Sequence, residues 1–315
     1  MTTFVTGGLG FIGSNFVIAH LKKYPSDELV IIDNNSYAAD VKNLEGYLDD
    51  WRVSLKHVDI RDHENLDLLY NRYEPEITYH FAAESHVDNS IDGDDVFLST
   101  NINGTHNILK CIKKYGGKLV HISTDEVYGS LTREDPPFME TTPYNPRNPY
   151  SATKAASDHL VRSYVNTHKI DAIVTNCSNN YGPRQHKEKF IPTVIRHIKN
   201  NTPVPVYGTG QNVRDWLYVE DHCEALLEIG KNFKSGERYN IGGGHEVSNL
   251  EMVAMILDIM GKPINMYQSW INFVNDRKGH DFRYAMNAEK IQKELGWSAK
   301  TDIIKGLEKT LEWYK

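Results

Sequence analysis

The stretch "FVTGGLGFIGSN", residues 4–15, limits the fold more than any other part of the chain. A β-rich run over residues 2–6 passes straight into Gly7, Gly10 and Gly13, spaced G-x-x-G-x-x-G, and a helical pattern starts at Phe11. Glycine lets a backbone turn tightly and approach a pyrophosphate, which then sits at the positive N-terminus of the helix. A glycine triad alone is weak evidence, but Asp33 closes the next β-rich run 20 residues after Gly13. A carboxylate there accepts hydrogen bonds from an adenosine ribose and repels a 2′-phosphate, so the pattern predicts NAD rather than NADP. The competing reading is a glycine turn whose Asp only caps the loop. "VDI" (58–60) and "FAAES" (81–85) end strands on the same sheet edge and weigh against it. Asp59 can meet an adenine there, and Ala82 and Ala83 are small enough to let a cofactor lie close.

Strand candidates at 2–6, 28–33, 53–58, 77–81, 118–123 and 171–176 alternate with amphipathic stretches at 11–24, 63–73, 95–115 and 150–168. That rhythm predicts an α/β fold, a doubly wound parallel sheet of the Rossmann type with helices on both faces. After Asn176 the pattern loosens. "NNYGPRQHKEKFIP" and "NNTPVPVYGTGQNVRDW" are rich in Gly, Pro and Asn and read as loops around short elements. Further helices are expected at 219–230, 249–260, 288–295 and 302–314, so the C-terminal third reads as a smaller α+β lobe. The expected division is an NAD-binding domain of residues 1–178 with a return segment 213–243, and a substrate lobe of 179–212 and 244–315.

Composition removes several function classes. Net charge is −7, with 42 acidic residues against 35 Lys and Arg and no basic run, which argues against nucleic acid. Apolar runs such as "ELVIID" are too short for a membrane span, and no basic leader precedes the first strand, so no membrane or secretory segment is expected. Cys111, Cys177 and Cys223 are odd in number and widely separated, the pattern of reduced thiols in a cytoplasmic protein. No HExxH occurs among the 14 histidines, and no metal is expected.

Two clusters carry chemistry. "KLVHISTDEVYG" (118–129) ends an apolar run with Thr124, Asp125 and Glu126 side by side. Adjacent carboxyls at the end of a buried strand are costly unless paired or used; a solvated strand end with a salt bridge is the bland alternative. In "NPRNPYSATK", Asn148 is a good N-cap and Pro149 a good first helical residue, so Tyr150 and Lys154 share a helix face. A tyrosine ionises near pH ~10, and a neighbouring ammonium and a cationic nicotinamide both lower that value. Tyr150 can then take a proton from a substrate hydroxyl while a hydride leaves for the cofactor. Taken alone, such a pair is common on surface helices; here it follows a dinucleotide loop and lies 24 residues after Glu126.

Together these residues resemble the extended short-chain dehydrogenase/reductase family, through "GGLGFIG", "FAAES", "STDEVYG", "YSATK", "NNYGPRQ" and "RDWLYVED". Within it the chain is similar to the dTDP-glucose 4,6-dehydratase family. "AAESHVDNSI", "NCSNNYGP", "EKFIP", "GQNVRDWLYVEDH", "YNIGG" and "DRKGHDFRYAMN" follow in that family's order over nearly the whole chain. Sugar epimerases of the larger family lack the Asp-Glu pair. GDP-mannose dehydratases and UDP-glucuronate decarboxylases keep the Glu but place Ser before it.

The resemblance implies a hydro-lyase that oxidises a nucleotide-bound glucose at carbon 4, eliminates water across carbons 5 and 6, and reduces carbon 6. The product is a 4-keto-6-deoxy-glucose nucleotide, a precursor of deoxysugars such as rhamnose. In this scheme Tyr150 takes the 4-hydroxyl proton, Lys154 holds the phenolate, and Thr124 hydrogen-bonds the developing carbonyl. Glu126 is the base at carbon 5, and Asp125, protonated, donates to the departing 6-hydroxyl. NAD would be held by Gly7, Gly10, Phe11, Ile12, Gly13, Asp33, Asn34, Asn35, Ser36, Asp59 and Ile60, and by Phe81, Ala82, Ala83, Ser85, Thr100, Tyr150, Lys154 and Asn180. The sugar nucleotide would meet Ser85, Thr124, Asp125, Glu126, Asn179, Lys189 and Phe190. Pro205, Val206 and Tyr207 would pack on its base, and Arg214, Asn249, Arg277 and His280 would hold its diphosphate. The family also implies a homodimer through the 95–115 and 150–168 helices.

Several positions depart from the family pattern. The segment between Glu126 and Tyr150 is short, Lys278 stands where Pro is usual, "DNNSY" replaces an Asp-Lys-Leu-Thr run, and Arg184 and His186 occupy a loop that often carries an aromatic. They leave open the choice between dTDP-glucose and UDP-glucose. The rival readings are a UDP-glucose dehydratase, an epimerase with unusual carboxyls, and a non-catalytic NAD-sensing module. Against the last, Thr124, Asp125, Glu126, Tyr150 and Lys154 are all intact.

Overall fold

Seven strands form the central sheet: β1 (Thr2–Thr6), β2 (Glu28–Asp33), β3 (Val53–His57), β4 (Ile77–His80), β5 (Lys118–Thr124), β6 (Asp171–Cys177) and, later in the chain, β10 (Arg238–Ile241). The structure is a computed structural model describing residues 1–315, the side chains of 264–266 excepted. The strand order is β10-β6-β5-β4-β1-β2-β3 and every neighbouring pair is parallel. Side chains alternate between two cores, as a sheet covered on both faces requires. Val5, Leu29 and Ile31 face the helices Phe11–Lys23 and Val219–Lys231. Phe4, Val30 and Ile32 face His63–Tyr73, Thr105–Tyr115 and Pro149–His168. Each fully buried side chain of this size contributes about 1.5–3 kcal/mol.

The order reverses between β1 and β4, and the carboxyl ends of strands at such a switch point open onto a crevice. The glycine turn after β1, the "FAAES" loop after β4 and Thr124–Glu126 after β5 all leave the sheet there.

The second lobe has its own core, built from Ile191, Val194, Ile195, Val204, Trp216, Met252, Val253, Ile256 and Leu307. It contains a three-stranded sheet of β7 (Asn179–Tyr181), β9 (Val213–Tyr218) and β11 (Glu246–Ser248), and a parallel pair, β8 (Val204–Tyr207) with β12 (Ile271–Val274). The helix Phe190–Lys199 lies inside a segment that its Gly, Pro and Asn content marks as loop. It forms because Pro192 falls in the first turn, where its missing N–H removes no intrahelical bond, while Ile191, Val194, Ile195 and Ile198 bury one face.

The single helix expected over 95–115 is interrupted. Asp95–Phe97 is α-helical, Leu98–Gly104 is a π-helix, and Thr105–Tyr115 resumes the α form. Gly104 packs so close to Ile60 that a Cβ would lie 2.5 Å from its Cδ1. The wide turn carries Asn101 inward, where it accepts from the Glu84 N–H (2.9 Å) and donates to Glu84 O and Thr153 Oγ1 (3.0 Å each). Such bulges recur at functional sites.

Two buried histidines link this packing to pH. Burial pushes His222 down to about 3 and, against the attraction of Asp27, His20 down to about 4. As pH falls below the ordinary value of about 6.5, the unfolded chain takes up protons that these folded sites refuse, so stability is lost. The loss runs at about 1.4 kcal/mol per pH unit for each group until the folded value is reached. Urea midpoints should therefore fall steadily between neutral pH and pH ~4.5; midpoints unchanged over that range contradict the assignment.

Candidate active site

At the glycine turn the backbone approaches itself and the next strand too closely for side chains. Gly7 has φ +70, and a Cβ on it would lie 2.6 Å from Ala82 N; one on Gly13 would lie 2.2 Å from Gly7 O. The turn thus presents bare backbone at the start of the Phe11–Lys23 helix, a cradle fitted to a pyrophosphate. Substituting Gly13→Ala should cost about 1–3 kcal/mol by overpacking and abolish the rise in melting temperature that NAD gives the parent protein. An unaltered melting curve with NAD response would contradict this.

Asp33 both caps and faces the cleft. Its Oδ2 accepts from Leu9 N (2.9 Å) and its Oδ1 from Asn35 N (2.8 Å). Burial pushes its pKa up and these two bonds oppose that. Each carboxylate oxygen keeps a second lone pair for a ribose hydroxyl. Gly7, Gly10, Phe11, Ile12, Gly13, Asp33, Asn34, Ser36, Ile60, Phe81, Ala82, Ala83, Ser85, Thr100, Tyr150, Lys154 and Asn180 all line one cleft, as do Thr124, Asp125, Glu126, Asn179 and Lys189. Asn35 and Asp59 do not line it. Asp59 is engaged by the Arg61 guanidinium (2.7 and 3.0 Å) and by Asn34 Nδ2 (3.0 Å).

Thr124 ends β5 and caps the short turn Asp125–Tyr128, its Oγ1 accepting from Glu126 N (3.3 Å) and donating to Asp125 Oδ1 (3.2 Å). Asp125 is 1 % exposed, and its Oδ2 has no hydrogen-bond partner among the described residues. Burial first, then the charges of Glu126 and Asp215, push its carboxyl pKa well above the usual range, which favours the protonated form. Glu126 is only partly buried and accepts from Asn148 Nδ2 (3.3 Å). Two adjacent carboxyls therefore sit in different environments, the arrangement that separates an acid from a base.

The Pro149–His168 helix starts on a capping box, with Asn148 Oδ1 accepting from Ser151 N (2.8 Å). Tyr150 and Lys154 share its buried face. The expectation that Lys154 draws the phenol pKa down is not what their immediate surroundings give. Lys154 Nζ donates to Ile122 O (2.9 Å), while burial and then the Glu126 charge push the Tyr150 phenol well above its ordinary value. Desolvation and a nearby carboxylate outweigh the helix neighbour, so the phenolate needs a further cation in the cleft. Burial also lowers the Lys154 pKa, opposed by the Asp158 carboxylate.

The residues expected to hold the nucleotide fall into separate places. Lys189 reaches the cleft and donates to Ser85 O (3.0 Å). Phe190 does not line it and stacks on Trp216 at the second core. Along β8, Val206 is fully buried in that core, whereas Pro205 and Tyr207 turn outward. Tyr207 donates to Asp88 Oδ2 (3.1 Å) and meets the His280 ring edge-on; Arg277 lies 3.9 Å from Asp88 Oδ1. These groups gather where the "FAAES" loop becomes the Val87–Asp92 helix, beside the cleft. Arg214 and Asn249 are not brought to the cleft. Arg214 lies over the Tyr284 ring (4.3 Å) and donates to the carbonyls of Val213, Asp281 and Phe282 rather than to Asp215. Asn249 opens its own helix and donates through its N–H to Asn212 O.

Sequence reasoning missed further cleft residues: Ala38, Ala39, Glu84, Cys177, Ser178, Gln185, His186 and Glu188. Asn148 reads in the sequence only as a cap, without its contact to Glu126. Glu188, in the "GPRQHKEKF" loop, takes a hydrogen bond from Tyr37 of the "DNNSY" segment, a crossing that no spacing signals.

The chain is similar to known proteins over its whole length. The family described as GDP-mannose 4,6 dehydratase matches residues 4–310. The dTDP-glucose 4,6-dehydratase of Salmonella typhimurium is 44% identical, the alignment covering 100% of this chain and 92% of that protein. Among solved structures, the dTDP-glucose 4,6-dehydratase DesIV of Streptomyces venezuelae with NAD and TYD bound superposes with a TM-score of 0.95 at 42% identity, covering 100% of this chain and 97% of that one. The dTDP-glucose 4,6-dehydratase of Bacillus anthracis in complex with NAD gives 0.92 at 39% identity, covering 100% and 96%. With a glycine cradle that no Cβ could enter, a buried Asp33 and an Asp-Glu pair above Tyr150 and Lys154, the chain belongs to the dTDP-glucose 4,6-dehydratase family.

Proposed function

We propose that this chain dehydrates dTDP-glucose to dTDP-4-dehydro-6-deoxy-glucose, with the chemistry divided among Thr124, Asp125, Glu126, Tyr150 and Lys154. The observation that carries the division is the buried Asp125, its Oδ2 unpartnered among the described residues, beside the partly exposed Glu126 at the end of β5. The glycine turn, Asp33 and the 81–85 loop would hold NAD, which when bound supplies the acceptor and later the donor of one hydride. Tyr150 takes the 4-hydroxyl proton, and Lys154, fixed by Ile122 O, orients the ribose beside it. Once carbon 4 is a ketone the proton on carbon 5 is acidic, and Glu126 removes it. Asp125 protonates the departing 6-hydroxyl through its Oδ2, which has no competing hydrogen-bond partner among the described residues. Glu126, partly exposed and so able to exchange that proton with solvent, then protonates carbon 5.

The nucleotide would lie toward Lys189, Pro205, Tyr207, Arg277 and His280, with Arg214 and Asn249 reaching it only by leaving their present partners. The proposed division of labour places NAD on residues 1–178 and 213–243 and the sugar nucleotide on 179–212 and 244–315. A homodimer through the 95–115 and 150–168 helices and a cytoplasmic setting are part of the same reading, the latter supported by three free, buried cysteines. No described helix is long and apolar enough to cross a membrane.

The test is product analysis by NMR after supplying dTDP-glucose and UDP-glucose separately. A 4-keto, 6-methyl sugar from dTDP-glucose is expected. Conversion of UDP-glucose alone would reassign the nucleotide, and a 4-epimer as the only product would defeat the dehydratase reading.

A further inference from the structure

Lys154 is 4 % exposed, and its ammonium donates to Ile122 O (2.9 Å), a neutral carbonyl. Burial weakens the hold of a lysine on its proton, and buried lysines are documented with pKa values of ~5–6. The role given to Lys154 above needs the charged form near neutral pH, so a group besides Ile122 has to favour it. Asp158 lies one turn further along the same helix, where residues four apart are neighbours at about 5–6 Å between Cβ atoms. It is wholly buried and does not line the cleft, so it meets neither cofactor nor substrate.

The Asp158 carboxylate is seated among hydrogen-bond donors. Its Oδ2 accepts from Tyr144 OH (2.7 Å), Ser123 Oγ (2.9 Å) and Asn176 Nδ2 (3.3 Å), and His121 Nε2 stands 3.2 Å from Oδ1. Asn176 also donates to Thr124 O (3.0 Å), so the cluster reaches the strand end that carries Asp125 and Glu126. Against burial, the His121 bond and the nearby positive charges hold the Asp158 carboxyl below its ordinary range, which favours the ionised form. Few other charges face the pair. On β4, β5 and β6, burial pushes His80 and His121 down and the Cys177 thiol up to about 12, which favours their neutral forms. Burial likewise raises the phenols of Tyr128, Tyr144 and Tyr150. Arg238 of β10 lies across the Tyr144 ring (4.6 Å). At the cleft end, burial favours a protonated Asp125, and Glu126 is only partly buried. Asp158 is thus the ionised carboxylate that shares the interior with Lys154.

We propose that Asp158 is a positioning residue, its buried carboxylate keeping Lys154 in the ammonium form that Ile122 O holds in place. Two consecutive residues of β5 receive the pair: Ile122 through its carbonyl takes Lys154, and Ser123 through its hydroxyl takes Asp158. One turn of the helix is thereby fixed to the strand end that bears the acid and the base. A neutral Lys154 would have no charge with which to steady the Tyr150 phenolate. Asp158 touches no reacting atom and acts on the reaction through Lys154.

The inference rests on the role given to Lys154 above, and its first readout does not depend on turnover. NAD-loaded protein carrying carbon-13 at the lysine Cε is titrated by NMR, the Lys154 signal being the one missing from Lys154→Arg. Asp158→Asn removes the charge and keeps the shape: its amide oxygen still accepts from Ser123 and Tyr144, and its nitrogen donates to the other tautomer of His121. Removing an anion lowers the pKa of a neighbouring ammonium, so the Lys154 midpoint should fall by about one pH unit or more. Tyr144→Phe disturbs the same cluster but keeps the charge, and should leave the midpoint in place. A midpoint unmoved in Asp158→Asn, or moved equally in both variants, would overturn the proposal. Should Asp158→Asn fail to fold, the parent decides: Lys154 still charged at pH ~8 supports the counter-charge, and Lys154 already neutral there overturns it. At a pH between the two midpoints, cofactor reduction on adding dTDP-glucose should be about tenfold or more slower in Asp158→Asn; equal rates would overturn the link to the reaction. Absence of product from the parent would instead overturn the dehydratase reading and leave the titration result standing.

Discussion

Replacing Asp125 by Asn together with Glu126 by Gln should leave oxidation at carbon 4 intact while water loss slows by about 10²- to 10⁴-fold, the range general acid–base catalysis supplies. The two substitutions keep the shapes and several of the hydrogen bonds seen here. The amide oxygen introduced at position 125 still accepts from Thr124, and the one introduced at position 126 still accepts from Asn148. What disappears is the proton that Asp125 gives and the site on Glu126 that receives one. Because burial favours the protonated form of Asp125, its replacement by a neutral amide should also leave folding nearly unchanged. Single-turnover absorbance should show reduced cofactor accumulating with no 6-deoxy product. Equal loss of both steps would contradict the division of roles.

Tyr150→Phe should stop the reaction one step earlier, lowering the rate of 4-hydroxyl oxidation by about 10²- to 10⁴-fold. The phenol is almost wholly buried, with Val87 and Phe97 in its apolar cluster, so Phe suits the position. The backbone bond from Tyr150 N to Ser90 Oγ does not involve the ring. Melting temperature and NAD binding should match the parent, while no reduced cofactor appears on adding substrate. Retention of the reduced-cofactor signal would exclude Tyr150 as the base. A loss of NAD binding would make its role structural instead.

Where local chemistry fixes the backbone, the sequence was legible. The glycine turn, Asp33 and the Asn148–Pro149 helix start are short-range devices, and each is seen where its spacing placed it. The helix His63–Tyr73 has the bounds its periodicity predicts, because Asp62 caps it and Leu66 and Tyr70 bury one face. Features set by distant partners were not legible. The π-helix Leu98–Gly104 is adjusted to contacts with Glu84, Thr153 and Ile60, none of them near in sequence. The helix Phe190–Lys199 and strands β8 and β9 sit in Pro- and Gly-rich text, and only the second core reveals why they form. The site divides in the same way. Thr124, Asp125 and Glu126 are adjacent in the chain and stand together. The Tyr150 environment depends instead on Glu126 and on the carbonyl of Ile122, which takes the Lys154 ammonium. Arg214 shows the same limit, since its stacking on Tyr284 joins two segments some 70 residues apart.

The central claim is that one hydride leaves carbon 4 and returns to carbon 6 within a single site, with dehydration in between. Supplying dTDP-glucose that carries deuterium at carbon 4 and locating the label in the product by NMR tests it most directly. The account predicts deuterium in the new 6-methyl group, undiluted by unlabelled NAD in solution, and a solvent-derived hydrogen at carbon 5 from Glu126. Label lost to solvent or to the free cofactor pool, or retained at carbon 4, would contradict it.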